Sequence, residues 1–277
     1  MSSVTIIRSL LREQTNVLSD AENFPMTFQL GIIGSNGILI ASDTRGTNFP
    51  AFRPNQLWSA GTHGTNSRKI TINYERGIAV SAAREMETAT RVAQEIAAHL
   101  PEGQFENPMS WIENAGNGIL GDVRTERNNP DERIEAHCLV AIRRPTPKLF
   151  QFTFANIDGQ WGGYCKKQER IAVAGDNVSG AIFWPEAYYN SYPYATRRIP
   201  VKSLIPLAAH TLVVAHRLNP TTISGLEVVF CDEAGFHRLS EESLQALQDA
   251  AAIWDQQFRE IILAYANEFT YEPTGLG

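Results

Sequence analysis

Apolar and polar positions along this chain switch between a helical and a strand period, and the switches outline its elements. Residues 3–19 space Val4, Ile6, Ile7, Leu10, Leu11, Val17 and Leu18 at threes and fours, which predicts a short amphipathic helix that ends within residues 20–25. Two β-branched, apolar runs follow at 27–33 and 37–42. The Asn36-Gly37 step between them is a strong hairpin signal, and Thr27 begins the first strand. Residues 46–67 are rich in Gly, Pro, Asn and Thr without periodicity and read as an unusually long loop. A second hairpin is expected over 69–82, turning near Glu75-Arg76-Gly77. Helices are expected at 84–100 and 108–125. The polar run 124–133 reads as a solvated loop, followed by strands at 137–143, 148–154 and 170–174. Helical patterns return at 177–190, 202–217 and 240–266, with a hairpin at 226–230 and 235–239 before the last of them. Strands grouped with strands and helices with helices favour sheet-on-sheet packing with helices outside, an α+β layered fold rather than a doubly wound parallel sheet.

Composition narrows the function classes. At 277 residues and 43% hydrophobic content the chain can bury a sizeable core. The net charge of −6, with Lys and Arg scattered, offers no stripe for nucleic acid, so no nucleic-acid partner is expected. Cys138, Cys165 and Cys231 are too few and too far apart for a disulfide framework, and none has metal-ligand spacing; no metal and no cofactor is called for. Arg8 and Arg12 interrupt the apolar N-terminal positions, so neither a signal peptide nor a membrane span is expected, and the expected compartment is the cytoplasm. No GxxxxGK[ST] loop occurs, so any ATP dependence would come from a separate ATPase partner.

The candidate chemistry centres on Thr27. A threonine at a chain terminus carries a hydroxyl nucleophile beside an amine able to take its proton. That amine has an unperturbed pKa of about 7.7–8.0, and a nearby lysine ammonium lowers it further. Asp43 lies sixteen residues after Thr27 and Arg45 two beyond that, on adjacent strand ends. Lys69, at the head of the second hairpin, is the candidate cation.

These residues also carry a family likeness. The run Met26 to Gly34, then Gly37 to Arg45, resembles the opening hairpin of proteasome-type β subunits and their bacterial relatives, the N-terminal nucleophile hydrolases. Lys69-Ile70-Thr71-Ile72 with the segment from Gly77 to Glu85 resembles the family's lysine strand, and residues 206–217 and 224–239 resemble its late helix and closing hairpin. The resemblance covers roughly residues 27–240. It implies a four-layer αββα sandwich spanning 27–277, with residues 1–26 as an N-terminal extension. It also implies a threonine-type peptidase acting through an acyl-enzyme on Thr27, within a homo-oligomeric ring or related assembly that takes peptide or protein substrates. In that reading Asp43 keeps Lys69 charged and aimed, Arg45 braces the network, and the backbone N–H groups of Ser81 and Ala82 form the oxyanion hole. Asp176 and Ser224 are the supporting residues.

Three positions depart from the family pattern. Val80 stands where a glycine usually precedes Ser-Ala-Ala, Asp176 replaces the serine of a Gly-Ser-Gly turn, and Thr221 occupies the place of an aspartate three residues before Ser224. Since 26 residues precede Thr27, its amine is free only after they are gone, either as a self-cleaved propeptide or because translation begins at Met26; Met26 itself favours the second route. Two alternatives stay open: a non-catalytic structural subunit similar to proteasome α-type chains, keeping its N-terminal helix, and an amidase acting on a small metabolite. Taken singly, each residue has a plain structural reading: Thr27 as a strand former, Asp43 and Arg45 as an ion pair at a strand end, Lys69 as a surface lysine. His137, His210 and His216 read as core or rim residues. The aromatic group from Phe183 to Tyr194 reads as packing at a helix end or a subunit contact.

Overall fold

The computed structural model describes residues 27–47, 64–101, 107–128, 134–157, 160–175, 178–191, 199–220 and 222–266. The helix expected over 3–19 lies outside them. Two antiparallel sheets carry the fold. The first has five strands in the order β11-β1-β2-β12-β13, built from β1 (Phe28–Gly34), β2 (Gly37–Ser42), β11 (Ile171–Gly175), β12 (Glu227–Cys231) and β13 (Phe236–Arg238). The second has six in the order β10-β9-β8-β6-β5, from β5 (Ile70–Asn73), β6 (Ile78–Ser81), β8 (Ala136–Ile142), β9 (Lys148–Ile157) and β10 (Gln160–Gln168), with short β7 (Ala83–Arg84) also pairing β8. The count of six includes β7, which lies off that order. Five α-helices lie among the described residues: α1 (Met86–His99), α2 (Pro108–Arg127), α3 (Ser179–Ser191), α4 (Ile205–Leu218) and α5 (Glu241–Ala266).

Alternation along β1 decides where each side chain goes, since neighbouring residues of a strand face opposite ways. Phe28, Leu30 and Ile32 join Leu212, Ala208 and Ala181 in one buried cluster, which ties the first sheet to α3 and α4. A second cluster packs Ile78, Val80, Val140, Phe150 and Phe152 of the other sheet on Val92 and Ile96 of α1 and Leu120 of α2. The third draws on both sheets at once, with Ile38, Ile40 and Val229 from one and Leu139, Ala141 and Leu149 from the other. Gly31 sits in that contact: a Cβ there would meet Leu149 at 2.9 Å, so a bare backbone is what allows the close approach.

The first hairpin turns through Ser35 and Asn36 with Gly34 opposite Gly37, matching its sequence signal. The second turns at 74–77, with Gly77 at φ +65°. Elsewhere the observed elements differ from the expected ones for identifiable reasons. The loop expected over 46–67 is pinned at its two ends, where β3 (Arg45–Thr47) pairs with β4 (Gly64–Asn66). Helix α2 runs to Arg127 because the first residue to leave helical geometry is Asn128, in the left-handed region at φ 49°. Its final turn also has partners: Arg124 lies over the Phe154 and Trp161 rings, 5.4 Å from each centroid, and Arg127 meets Glu85 at 3.3 Å. Strand β10 has no counterpart in the sequence reading. Its Gly162-Gly163 pair and Lys166, Lys167 and Gln168 give it little apolar alternation, yet it pairs with β9 along nine residues.

Candidate active site

One end of the contact between the sheets is polar. On β1, Gln29 shares the face of Gly31; its cross-strand partner is Ser42 of β2, whose own partner on the next strand is Glu227 of β12. Thr27, Gln29, Ser42, Asp43, Lys69, Ser81 and Glu227 are all buried. So much buried polarity is tolerated only where each group finds a partner.

Lys69 is the centre of that arrangement. Its Nζ donates to Asp43 Oδ2 at 2.7 Å and to Thr27 Oγ1 at 3.1 Å. The other Asp43 oxygen, Oδ1, accepts the N–H of Phe28 at 3.0 Å, so one carboxylate holds both the cation and the peptide unit just after Thr27. The two ion-pair side chains have no solvent exposure. Burial pushes the Asp43 carboxyl above the usual carboxylate range, against the attraction of Lys69 and the N–H groups of Phe28 and Arg45. It likewise pushes Lys69 below the usual lysine range, with Asp43 working the other way. In both groups burial is the largest cause, and the bond between them works against it.

Around that triad the structure distributes the other expected residues unevenly. Arg45 lies at the strand end beside Asp43, but its guanidinium donates to the Pro220 carbonyl at 3.3 Å and its backbone N–H to the Ser224 carbonyl. The Ala82 N–H donates to the Lys69 carbonyl at 2.9 Å, a ladder bond that commits the proton expected for the oxyanion hole. Ser81 contributes its hydroxyl: it donates to Gln29 Oε1 at 2.6 Å and accepts the Leu139 N–H at 3.1 Å, while Gln29 Nε2 donates to the Ala82 carbonyl at 2.6 Å. Ser224 meets the site through its backbone, its carbonyl accepting the N–H groups of Thr44 at 3.0 Å and Arg45 at 3.2 Å. Asp176 and Thr221 lie outside the described residues.

Three neighbours of the site were absent from the sequence reading as site residues. Gln29 fastens β1 to β6, and Glu227 accepts the Lys69 and Ile70 amides. His137 accepts the Gly175 N–H on Nδ1 at 3.2 Å, which requires that nitrogen to be unprotonated. Burial, helped by Arg84, lowers His137 to about 4. Gly175 matters because it has φ +85° and because a Cβ there would lie 1.9 Å from the Thr27 carbonyl oxygen. A usable sequence signal existed for two of the three: Gln29 and Glu227 are polar residues in otherwise apolar strands, the pattern that demands a buried partner. Nothing comparable marked His137.

No protein-family model matches the chain, and no curated protein matches it. Solved structures do. The chain is similar to Anbu from Pseudomonas aeruginosa, described as a helical assembly of the Anbu complex, at 12% identity with a TM-score of 0.61, over 90% of this chain and all of that one. Anbu from Yersinia bercovieri, described as an ancestral beta-subunit, aligns at 12% identity with a TM-score of 0.56, again over 90% and 100%. A Gly-1 mutant of Anbu from Hyphomicrobium sp. strain MC1 gives 14%, 0.58, 89% and 99%. The fold is therefore the one these Anbu structures share. This corrects the family likeness drawn from the opening strands: the neighbours are ancestral-type subunits, not proteasome β subunits proper, and no match at the sequence level supports the N-terminal nucleophile hydrolase family. The physical reason is that the Thr-Asp-Arg spacing reports the geometry of one hairpin and the residue after it, which cannot separate branches that share the hairpin. Among the described residues no group of His, Cys, Asp or Glu can hold a metal ion, and no helix is long and apolar enough to cross a membrane.

Proposed function

We propose that this chain is a threonine hydrolase that cleaves peptide bonds through an acyl-enzyme ester on Thr27. The observation that carries the reading is the buried contact of Lys69 Nζ with both Thr27 Oγ1, at 3.1 Å, and Asp43 Oδ2, at 2.7 Å. The ammonium of Lys69, donating to Thr27 Oγ1, steadies the alkoxide that forms there and favours a neutral Thr27 amine. In the acylation step Thr27 Oγ1 bonds to the scissile carbonyl carbon, and its proton passes to the Thr27 amine, freed once residues 1–26 are removed. The C–N bond then breaks and the leaving amine takes that proton. Water repeats the sequence on the ester, releasing the acid and restoring the hydroxyl. Asp43 keeps Lys69 aimed and holds the Phe28 amide, which sets the direction in which Thr27 points.

The same reading takes the fold as a four-layer αββα arrangement, supported by the three buried clusters, one between the sheets and one on each outer side. It also takes the chain as a homo-oligomer, supported by likeness to a protein described as a helical assembly. Intact-mass analysis before and after incubation with a peptide epoxyketone, which bonds to both the hydroxyl and the free amine of a terminal threonine, tests the proposal. The expected result is a chain beginning at Thr27 that gains one adduct, lost in Thr27→Ala. Full-length chain that gains none overturns it. Adduct formation with turnover of small amides but of no fluorogenic peptide would transfer the reading to an amidase.

A further inference from the structure

The way strand β5 begins is unusual and has a single cause. Strand β5 ends the order of the six-stranded sheet, so on one side it pairs with β6 and on the other it has no strand neighbour among the described residues. The inner side is satisfied in the ordinary manner, with the Ala82 N–H on the Lys69 carbonyl. Successive N–H groups of a regular strand point to opposite sides. Here the amides of Lys69 and Ile70 converge on one atom, Glu227 Oε2, at 2.8 and 3.2 Å. Glu227 belongs to the other sheet, at the start of β12, and is 3% exposed. Its second oxygen meets the Arg238 guanidinium, which also donates from Nη2 to the Ile70 carbonyl at 2.7 Å. The carboxylate and the guanidinium thus grip the same two residues of backbone, one by its amides and the other by its carbonyl.

We propose that Glu227 is a positioning residue for Lys69: its carboxylate fixes the backbone from which the lysine side chain extends, and so sets Nζ between Thr27 and Asp43. The role rests on the hydrolase reading for its consequence in catalysis, but not for its geometry. Two charge-assisted bonds to one backbone segment are stronger than neutral ones and hold it closely. The amino group they place must lie within hydrogen-bond distance of two atoms at once, and a shift on the order of 1 Å at the backbone suffices to lose that fit. The Glu227 carboxylate bonds the Lys69 and Ile70 amides and Arg238 and not Thr27 or Asp43, so its effect passes through Lys69.

Three variants of the full chain test the role: Glu227→Leu, Glu227→Gln and Arg238→Met. Glutamine offers one carbonyl oxygen, enough for both amides, whereas leucine offers none. Two readouts are taken on each, the rate of epoxyketone adduct formation and the 13Cε resonance of Lys69 at a fixed pH, assigned by its loss in Lys69→Met. Glu227→Leu is expected to move the Lys69 resonance toward the position of exposed lysines and to slow adduct formation about 10–100-fold, as losses of supporting groups typically do. Glu227→Gln is expected to restore both to within a few-fold of the parent, with urea midpoints measured alongside. If Glu227→Leu folds and leaves the Lys69 resonance in place, or if Glu227→Gln is as impaired as Glu227→Leu, the role is refuted. Should Glu227→Leu fail to fold, Arg238→Met serves in its place, because it frees one side of the same grip: an unmoved Lys69 resonance there refutes the role too. A parent chain that forms no adduct while its Lys69 resonance moves in Glu227→Leu supports the positioning role and removes the hydrolase reading instead.

Discussion

Replacing Lys69 by methionine leaves Asp43 in the interior with no cation beside it. The carboxylate keeps the Phe28 N–H at 3.0 Å, but the 2.7 Å bond from Nζ is gone. Breaking a buried pair from one side costs about 3–5 kcal/mol, because an uncompensated charge stays inside. The structure also sets a ceiling, since Asp43 can escape by taking up a proton. Starting from the ordinary value of 3.8, protonation at about pH 7.5 costs 1.36 kcal/mol per unit over nearly four units, or about 5 kcal/mol. At about pH 5 the same route costs only about 1.6 kcal/mol. In the variant the folded state retains a proton that the unfolded chain releases, so stability falls as pH rises above 3.8. Urea unfolding followed by tryptophan fluorescence at the two pH values is the assay. The expected outcome is a loss of about 3–5 kcal/mol near pH 7.5 that shrinks below about 2 kcal/mol near pH 5, with an unchanged slope against urea. The double variant Asp43→Asn/Lys69→Met, which keeps an oxygen for Phe28 and buries no charge, should recover most of the loss. A loss under about 1 kcal/mol near neutrality, or one equal at both pH values, would mean that the pair does not lie in a water-free interior and would refute the reasoning.

Other expectations follow from single contacts. His137 is 6.5 in an unfolded chain and about 4 when folded, so its neutral form contributes stability fully present above pH 6.5 and lost as pH falls toward 4, about 3 kcal/mol in all; urea midpoints of His137→Asn against the parent should show the dependence flattened across that window. Gly175→Ala must strain a backbone at φ +85° and push on the Thr27 carbonyl, so adduct formation read by mass should slow by about tenfold or more while the strain costs about 1–3 kcal/mol. In α2, Gly116→Ala drives a methyl to within 2.3 Å of the Phe152 ring and should destabilise by about 1–3 kcal/mol in urea. Gly118→Ala, two residues on with nothing within 4 Å of its Cβ, should stabilise by about 0.5–1 kcal/mol, helix propensity acting alone.

Sequence legibility followed the strength of the local signal. The opening hairpin was readable because Asn36-Gly37 sits between two β-branched runs, and α1 because Ala89, Val92, Ala93, Ile96 and Ala97 keep one face buried. Thr27, Asp43 and Lys69 were legible as a group through their spacing and the strands that carry them. What spacing does not encode is contact across sheets. The Ala82 amide reads as a free donor in a turn, yet ladder register gives its proton to Lys69. Arg45 reads as a brace for Asp43, yet its long side chain turns toward Pro220. Glu227 is separated from Lys69 by 158 positions, so only its oddity inside an apolar strand hinted at a partner. The family assignment failed for a related reason: one hairpin's spacing is common property of a fold, and nothing in it distinguishes the branches.

Strand β10 ends the six-stranded order at the side opposite β5, and near its end it carries the exposed Lys166 and Lys167. The features that hid it from a hydropathy reading are the ones that guard a sheet margin: Asn117 and Glu113 of α2 already take the Gly163 and Cys165 amides, and the ammonium groups beyond them discourage another chain from docking there. Rewriting Lys166 and Lys167 as valine and isoleucine would make β10 easy to recognise on paper and leave the folded chain with a sticky rim. Its obscurity to pattern reading and its resistance to fibril-like stacking are one property.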